Sequence, residues 1–109
     1  MKEAWDSYYP TDPRSLQMKR AQELGVAFVD LDRITPPISA LVAISAAQGS
    51  RYNVVPLKRK STVIYVAVSQ LRSSLDDLER EIGLKVVQVL AVPAEVEKAL
   101  DQGKWWKRA

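Results

Sequence analysis

The feature that most constrains the fold is the run T-V-I-Y-V-A-V at residues 62–68, which is apolar at almost every position. Successive side chains of a strand point to opposite faces of the sheet, so a strand that is apolar at both sets of positions needs cover on both faces. The run therefore predicts a central strand. A second strand is predicted at residues 52–58. A basic turn at residues 58–61 would join it to the central strand, so that the two form a hairpin. Pro56 places that strand at an edge, because proline cannot donate to a second neighbour.

Helix start and stop signals predict the remaining elements. Asp12 and Pro13 suit the first turn of a helix, and Gly25 suits its end. A second helix, opening at residues 35–37 and ending near Gly49, is apolar on nearly every side, so it is buried on several sides or covered by a partner. The other predicted elements are a strand at 26–31, an amphipathic helix with Leu71, Leu75, Leu78 and Ile82 on one face, a strand at 84–91, and a last helix from Pro93 to Gly103.

The element order is α-β-α-β-β-α-β-α, which predicts an α+β domain with a small mixed sheet of about four strands and helices packed on it. We expect an irregular N-terminal arm at residues 1–12, a folded domain at 13–103 and a basic, Trp-containing tail at 104–109. Trp105 and Trp106 have three interpretations: stacking on bases, contact with a membrane surface, or packing of one of the two on the last helix. In the third, the arm residues Trp5, Tyr8 and Tyr9 are candidate packing partners.

The composition excludes most catalytic chemistry. The 109 residues include no cysteine and no histidine, so there are no disulfides, no thiolate ligands and no imidazole base. The four glycines are isolated from one another, and none has the spacing of a phosphate-binding loop. We therefore predict a binding protein rather than an enzyme, with no catalytic residue, no metal site and no cofactor.

Asp30 and Asp32 point to one face if their segment is extended, and two carboxylates on one face can bind a divalent cation or act as an acid–base pair. The favoured interpretation is that they cap backbone N–H groups in a turn, because no third acidic residue is close in sequence. No stretch reaches the roughly 20 apolar residues that a membrane span needs, and residues 1–6 lack the apolar run that is typical of a signal peptide. We expect a cytoplasmic protein without direct membrane insertion.

Two groups of residues are candidates for contact with a partner. The densest basic group is Arg51, Lys58, Arg59 and Lys60, which faces either an acidic partner, a phosphate ligand, or solvent at the tip of a hairpin. Sixteen Lys and Arg against thirteen Asp and Glu give a net charge of only +3, so we predict no nucleic-acid partner. With three residues of the apolar helix, the predicted partner-binding residues are Ile38, Leu41, Val42, Arg51, Lys58 and Arg59.

Several motifs in succession resemble one known family. The stretch A-Q-E-L-G-V-A-F-V-D-L-D at residues 21–32 is similar to "A..LG.PFVDLD", and R-Y-N-V-V-P-L at residues 51–57 to a strand of the same family. The resemblance continues at residues 63–68, 75–78, 82–91 and 93–96, and covers about residues 16–102. The chain is thereby identified as similar to the N-terminal domain of type II secretion and type IV pilus assembly ATPases, the GspE/PilB N-terminal or MshEN-like domain.

That resemblance implies a small docking domain ahead of a hexameric motor, and the motor domain itself is not part of this sequence. The implied partner is the cytoplasmic domain of an inner-membrane platform protein, which would recruit the domain to the inner membrane face. Related members bind cyclic di-GMP through an R-L-G-x-x-L…Q pattern, whose R-L-G part is absent here. In the last part of the pattern, Leu16 matches the first leucine. Arg20 stands in place of the next leucine, and Glu23 stands in place of the glutamine. Docking is therefore the predicted function, and cyclic di-GMP sensing is the alternative.

Overall fold

The computed structural model describes residues 12–107. The predicted arm lies outside the described residues apart from Asp12, and so do its aromatic residues Trp5, Tyr8 and Tyr9. The helices are α1 Pro13–Leu24, α2 Ile38–Ala43, α3 Ala46–Tyr52, α4 Asp76–Ile82, α5 Pro93–Leu100 and α6 Lys104–Lys107, with single 3-10 turns at Leu31–Arg33 and Asp101–Gly103. The strands are β1 Val55–Lys60, β2 Val63–Val68 and β3 Lys85–Leu90. Within the described part, no helix has the length and apolar character of a membrane span.

The sheet has the order β1-β2-β3, with β1 antiparallel and β3 parallel to β2. The α+β class, the mixed sheet, the hairpin and the edge position of the strand with Pro56 are thereby confirmed. The sheet has three strands rather than about four, because the segment predicted as a strand at residues 26–31 forms only one isolated bridge, between Phe28 and Leu90. The segment leaves the sheet at once, since the Asp30 side chain caps the 3-10 turn that follows.

A bulge in β1 changes which of its side chains share a face with β2. Val55 and Pro56 pair with Ala67 and Val66, but the next pair is Lys58 with Tyr65, which leaves Leu57 without a partner. Because side chains alternate along a strand, one extra residue reverses the direction of every side chain after it. Lys58 and Lys60 therefore lie on the face that Ala67 and Tyr65 share.

The helix caps follow the sequence signals at α1 and depart from them in the next helix. Asp12 caps α1, Pro13 opens it, and Gly25 ends it in the left-handed conformation. The second predicted helix is wrong as a single element, because the chain becomes extended at Ile44 and starts again as α3. The cause is a capping box, in which Ser45 and Gln48 satisfy each other's backbone N–H groups.

Two clusters of buried side chains lie on the two faces of the sheet. The predicted amphipathic helix is confirmed only from Asp76 to Ile82, because Leu71 precedes it and Leu75 is its non-helical N-cap. Leu75 and Leu78 are both buried in the first cluster. The first cluster contains Ala21, Ala40, Ile44, Val54, Ile64, Val66, Val68, Leu75, Leu78, Leu84 and Leu90. The second cluster contains Leu31, Leu41, Val55, Ala67, Ala91, Val96, Ala99 and Trp105.

Trp105 and Trp106 both pack into the domain, whereas the third interpretation expected one of them to pack on the last helix. Positive φ angles at Gln102 and Gly103 turn the chain after α5, and Trp105 is then buried in the second cluster. The Trp106 indole N–H donates to the carbonyl oxygens of Leu41 at 3.1 Å and Ile44 at 2.7 Å. These two carbonyls are near the end of α2, where no further helical turn follows to supply donors.

Gly49, predicted as a helix stop, lies inside α3 instead. A Cβ atom there would lie 2.8 Å from Cη2 of Trp106 and 3.0 Å from the carbonyl oxygen of Val54. The helix continues to Tyr52 and ends at Asn53, which takes the left-handed conformation with φ 56°. Gly49 is therefore a packing position for the indole ring rather than a helix terminator.

Candidate partner-binding site

Helix α2 presents two apolar side chains to solvent. Ile38 and Val42 are 63% and 72% exposed, and residues four apart share one side of a helix. Leu41 is only 5% exposed and belongs to the second core cluster, so this predicted contact residue is not available to a partner. The rest of α2 is fixed in the core, by Ala40 in the first cluster and by Leu41 in the second.

Arg51 lies apart from the other predicted basic residues and already has a counter-charge. Its guanidinium is 2.5 Å from a carboxylate oxygen of Glu81 and lies over the ring of Tyr52, 5.1 Å from the centroid. Hydrogen bonds from Tyr52 and Gln48, together with the Arg51 cation, hold the pKa of Glu81 below its ordinary value. This cluster joins α3 to α4, so a structural role accounts for Arg51.

Lys58 and Arg59 are neighbours near the hairpin turn, and both are exposed. The Arg59 Nε–H donates to the carbonyl oxygen of Ser61 at 3.3 Å. Lys85, which the sequence did not associate with this group, lies beside the turn, where its backbone N–H donates to the Thr62 carbonyl at 2.9 Å. Only the parallel pairing of β2 with β3 reveals that neighbour, because more than twenty residues separate the two in the chain.

The pair Asp30 and Asp32 is part of a larger acidic group with Glu95, whose carboxylate oxygens come within 4.8 Å of one another. Arg14 of α1 donates to Asp30 and, at 3.2 Å, to Glu95. The hydrogen bond from Arg14 lowers the pKa of Asp30, whereas burial and the charge of Asp32 raise the pKa of Glu95. A guanidinium thus supplies positive charge to this group, and Asp30 also caps a turn as the favoured interpretation expected.

Comparison with known proteins agrees with the family that the motifs suggested. The sequence-family model of the MshEN domain matches residues 24–102. A solved structure of MshE with cdg aligns with a TM-score of 0.68 at 19% identity, covering 80% of this chain and 65% of that one. The N-terminal domain of XpsE aligns with a TM-score of 0.63 at 14% identity, covering 89% of this chain and 70% of that one.

The chain thus spans about two thirds of the MshE chain that it matches. No curated protein matches the sequence. At these identities the structural likeness establishes the fold, while the family model extends over most of the described residues and over the motifs that carry the resemblance. The chain belongs to the MshEN domain family, the N-terminal domains of secretion and pilus assembly ATPases.

Proposed function

We propose that this domain is a non-catalytic docking module of a type II secretion or type IV pilus system. The observation that carries the proposal is the pair Ile38 and Val42, two large apolar side chains that α2 holds in solvent. The helix is fixed in both core clusters by Ala40 and Leu41. Burial of such side chains against a partner contributes roughly 25 cal/mol per Å² of apolar surface. The rigid support of α2 keeps the entropic cost of that contact low.

The proposed partner is the cytoplasmic domain of an inner-membrane platform protein, which would bring a cytoplasmic domain to the inner face of the membrane. The family supports this role, since its members precede motor domains that have to be attached to such a platform. The chain's own residues are consistent with a protein surface, because the exposed cations near the hairpin can steer an acidic partner toward it.

The test is a binding titration of the full chain against purified cytoplasmic domains of candidate platform proteins. We expect Ile38→Asp and Val42→Asp to weaken binding by roughly tenfold or more, as expected where a buried apolar contact becomes an unpaired charge. Met18→Asp is the matched control, because Met18 is another large exposed apolar residue, 50% exposed on α1. Equal binding by the Val42→Asp variant and the wild type would remove α2 as the contact.

A second candidate is a sensor of cyclic di-GMP, favoured by the structural match to MshE with cdg. Glu23 and Arg20, the departures from the ligand pattern, are both exposed on α1. The Arg20 guanidinium donates to the Gln17 side-chain oxygen at 2.7 Å. Isothermal titration with cyclic di-GMP separates the two functions: heat that saturates at ligand concentrations near about 100 μM supports sensing, and the absence of heat leaves docking.

A further inference from the structure

One face of the sheet is only half covered by the rest of the domain. Along β2, Ile64, Val66 and Val68 belong to the first core cluster, so they define the fully covered face. On the opposite face Ala67 is buried in the second cluster. Val63 and Tyr65 share that face with Ala67, but they are only half-buried and belong to neither cluster.

The pairing of the strands identifies the neighbours of Val63 and Tyr65 on this surface. Residues directly opposite each other on adjacent strands point to the same face. Lys60 and Lys85 therefore flank Val63, while Lys58 and Val87 flank Tyr65. We call this surface the open sheet face; its residues are Lys58, Lys60, Val63, Tyr65, Lys85 and Val87.

The open sheet face carries three positive charges that no carboxylate of the described residues neutralises. Lys58, Lys60 and Lys85 are exposed, and none of them forms an ion pair with another residue between 12 and 107. Lys60 and Lys85 are two strands apart, roughly 10 Å, which is about one Debye length at moderate salt, so their potentials add over Val63. A cationic rim around an apolar, aromatic centre matches the anatomy of a protein interface.

The bulge at Leu57 is what produces this arrangement. With regular alternation from Val55, Lys58 and Lys60 would lie on the fully covered face. The extra residue instead places both lysines in the same rows as Tyr65 and Val63. Arg59 falls in the row of Ile64 on the other face.

We propose that the open sheet face binds an acidic segment of a partner protein, with an apolar side chain of that segment over Val63 and Tyr65. The inference deepens the proposed docking function and rests on it. Charge complementarity selects the occupant: three lysines that pair with no carboxylate of residues 12–107 favour an acidic segment, and the half-buried centre favours an apolar contact. Anionic lipid surfaces and nucleic acids are bound through larger clusters of cations than three lysines on a chain of net charge +3, so a carboxylate-rich protein is favoured over a lipid or nucleic acid.

The experiment is an amide-shift titration of the ¹⁵N-labelled full chain with a short peptide of Asp and Glu residues around a central Phe-Leu pair. Its counterpart, with Asn and Gln in place of the acids, is titrated in parallel. We expect saturable shifts at Val63, Tyr65, Lys85 and Val87 with the acidic peptide, and weaker binding at higher salt. The double variant Lys60→Glu/Lys85→Glu should weaken binding by roughly tenfold.

The matched control is Lys98→Glu/Lys107→Glu, which changes the net charge equally at two exposed lysines of α5 and α6. Equal weakening by the two double variants, or shifts that miss the open sheet face, would overturn the proposal. Tighter binding of phosphatidylglycerol vesicles or of single-stranded DNA at this face would also overturn it. So would shifts at the face that grow with protein concentration alone, because these would identify a second copy as the occupant.

The peptide titration also separates this inference from the docking function. If a platform domain binds the wild type and the Lys60→Glu/Lys85→Glu variant equally, docking stands and the open sheet face is excluded. If no platform domain binds, the proposed partner is excluded, and the peptide shifts still decide whether the face accepts an acidic segment.

Discussion

Replacement of Gly49 by alanine tests how tightly α3 packs against the C-terminal tryptophan. A Cβ atom at this position would lie 2.8 Å from Cη2 of Trp106, 3.0 Å from the Val54 carbonyl oxygen and 3.2 Å from Cδ2 of Leu100. The first distance is too short for any carbon contact, so the indole ring has to move. That ring is held by hydrogen bonds to two carbonyl oxygens at the end of α2, so its movement strains them as well.

Two opposing terms decide the sign of the Gly49→Ala effect. Alanine in a helix interior is favoured over glycine by up to about 1 kcal/mol. Overpacking of a well-filled interior costs about 1–3 kcal/mol, and weakening of the indole hydrogen bonds adds about 1 kcal/mol. We expect a net decrease of about 1–3 kcal/mol in the free energy of unfolding, or a fall in Tm of about 4 °C for each kcal/mol.

The assay is urea unfolding followed by circular dichroism. Ser50→Ala is the control, because Ser50 is exposed in the same helix and gains the propensity of alanine without a clash. In a Trp106→Leu background the cost of Gly49→Ala should shrink by about 1 kcal/mol, since the ring that it meets is gone. A Gly49→Ala protein as stable as Ser50→Ala would refute the packing argument.

Three further changes test other parts of the structure. Gln17→Ala should lower the free energy of unfolding by about 2 kcal/mol in thermal melts, because the buried amide donates to two backbone carbonyls at 2.9 and 2.7 Å; an unchanged Tm would contradict this. The Arg14 hydrogen bond lowers the folded pKa of Asp30, so its stabilisation is complete above the unfolded pKa of about 3.9 and is lost as the pH falls through the folded value. Asp30→Asn should therefore lose less stability on acidification than the wild type, and identical pH profiles would argue against the pair. Leu41→Asp should unfold the domain, whereas Val42→Asp should leave the circular dichroism spectrum unchanged, because only Leu41 is buried.

Local signals in the sequence were enough to predict the hairpin, the edge strand and the caps of α1. A proline within a strand, such as Pro56, predicts an edge position. Asp12, Pro13 and Gly25 favour the start and the end of a helix through their own local geometry. The orientation of α1 was not predictable in the same way. The side chains that α1 buries include the polar Gln17, which donates to the carbonyl oxygens of Ser69 and Ala91, more than fifty residues away in the chain. Apolar side chains of the same helix remain exposed.

The candidate site was predictable only in part, for a related reason. In a helix that is apolar on nearly every side, the sequence cannot distinguish the buried Leu41 from the exposed Val42, since tertiary packing alone sets the orientation. Arg51 and Lys58 were grouped because they are close in the chain. In the structure Arg51 forms an ion pair with Glu81, whereas the strand register sets the position of Lys58. The break between α2 and α3 did have a local signal, the Ser45–Gln48 capping box.

The unpaired Leu57 has a consequence for any comparison of this chain with its relatives. A homologue that lacks one residue at this point could keep the same lysines in the same order and yet direct them toward the packed side of the molecule. Charge conservation in this strand is therefore informative only when the number of residues between Pro56 and the turn is also conserved.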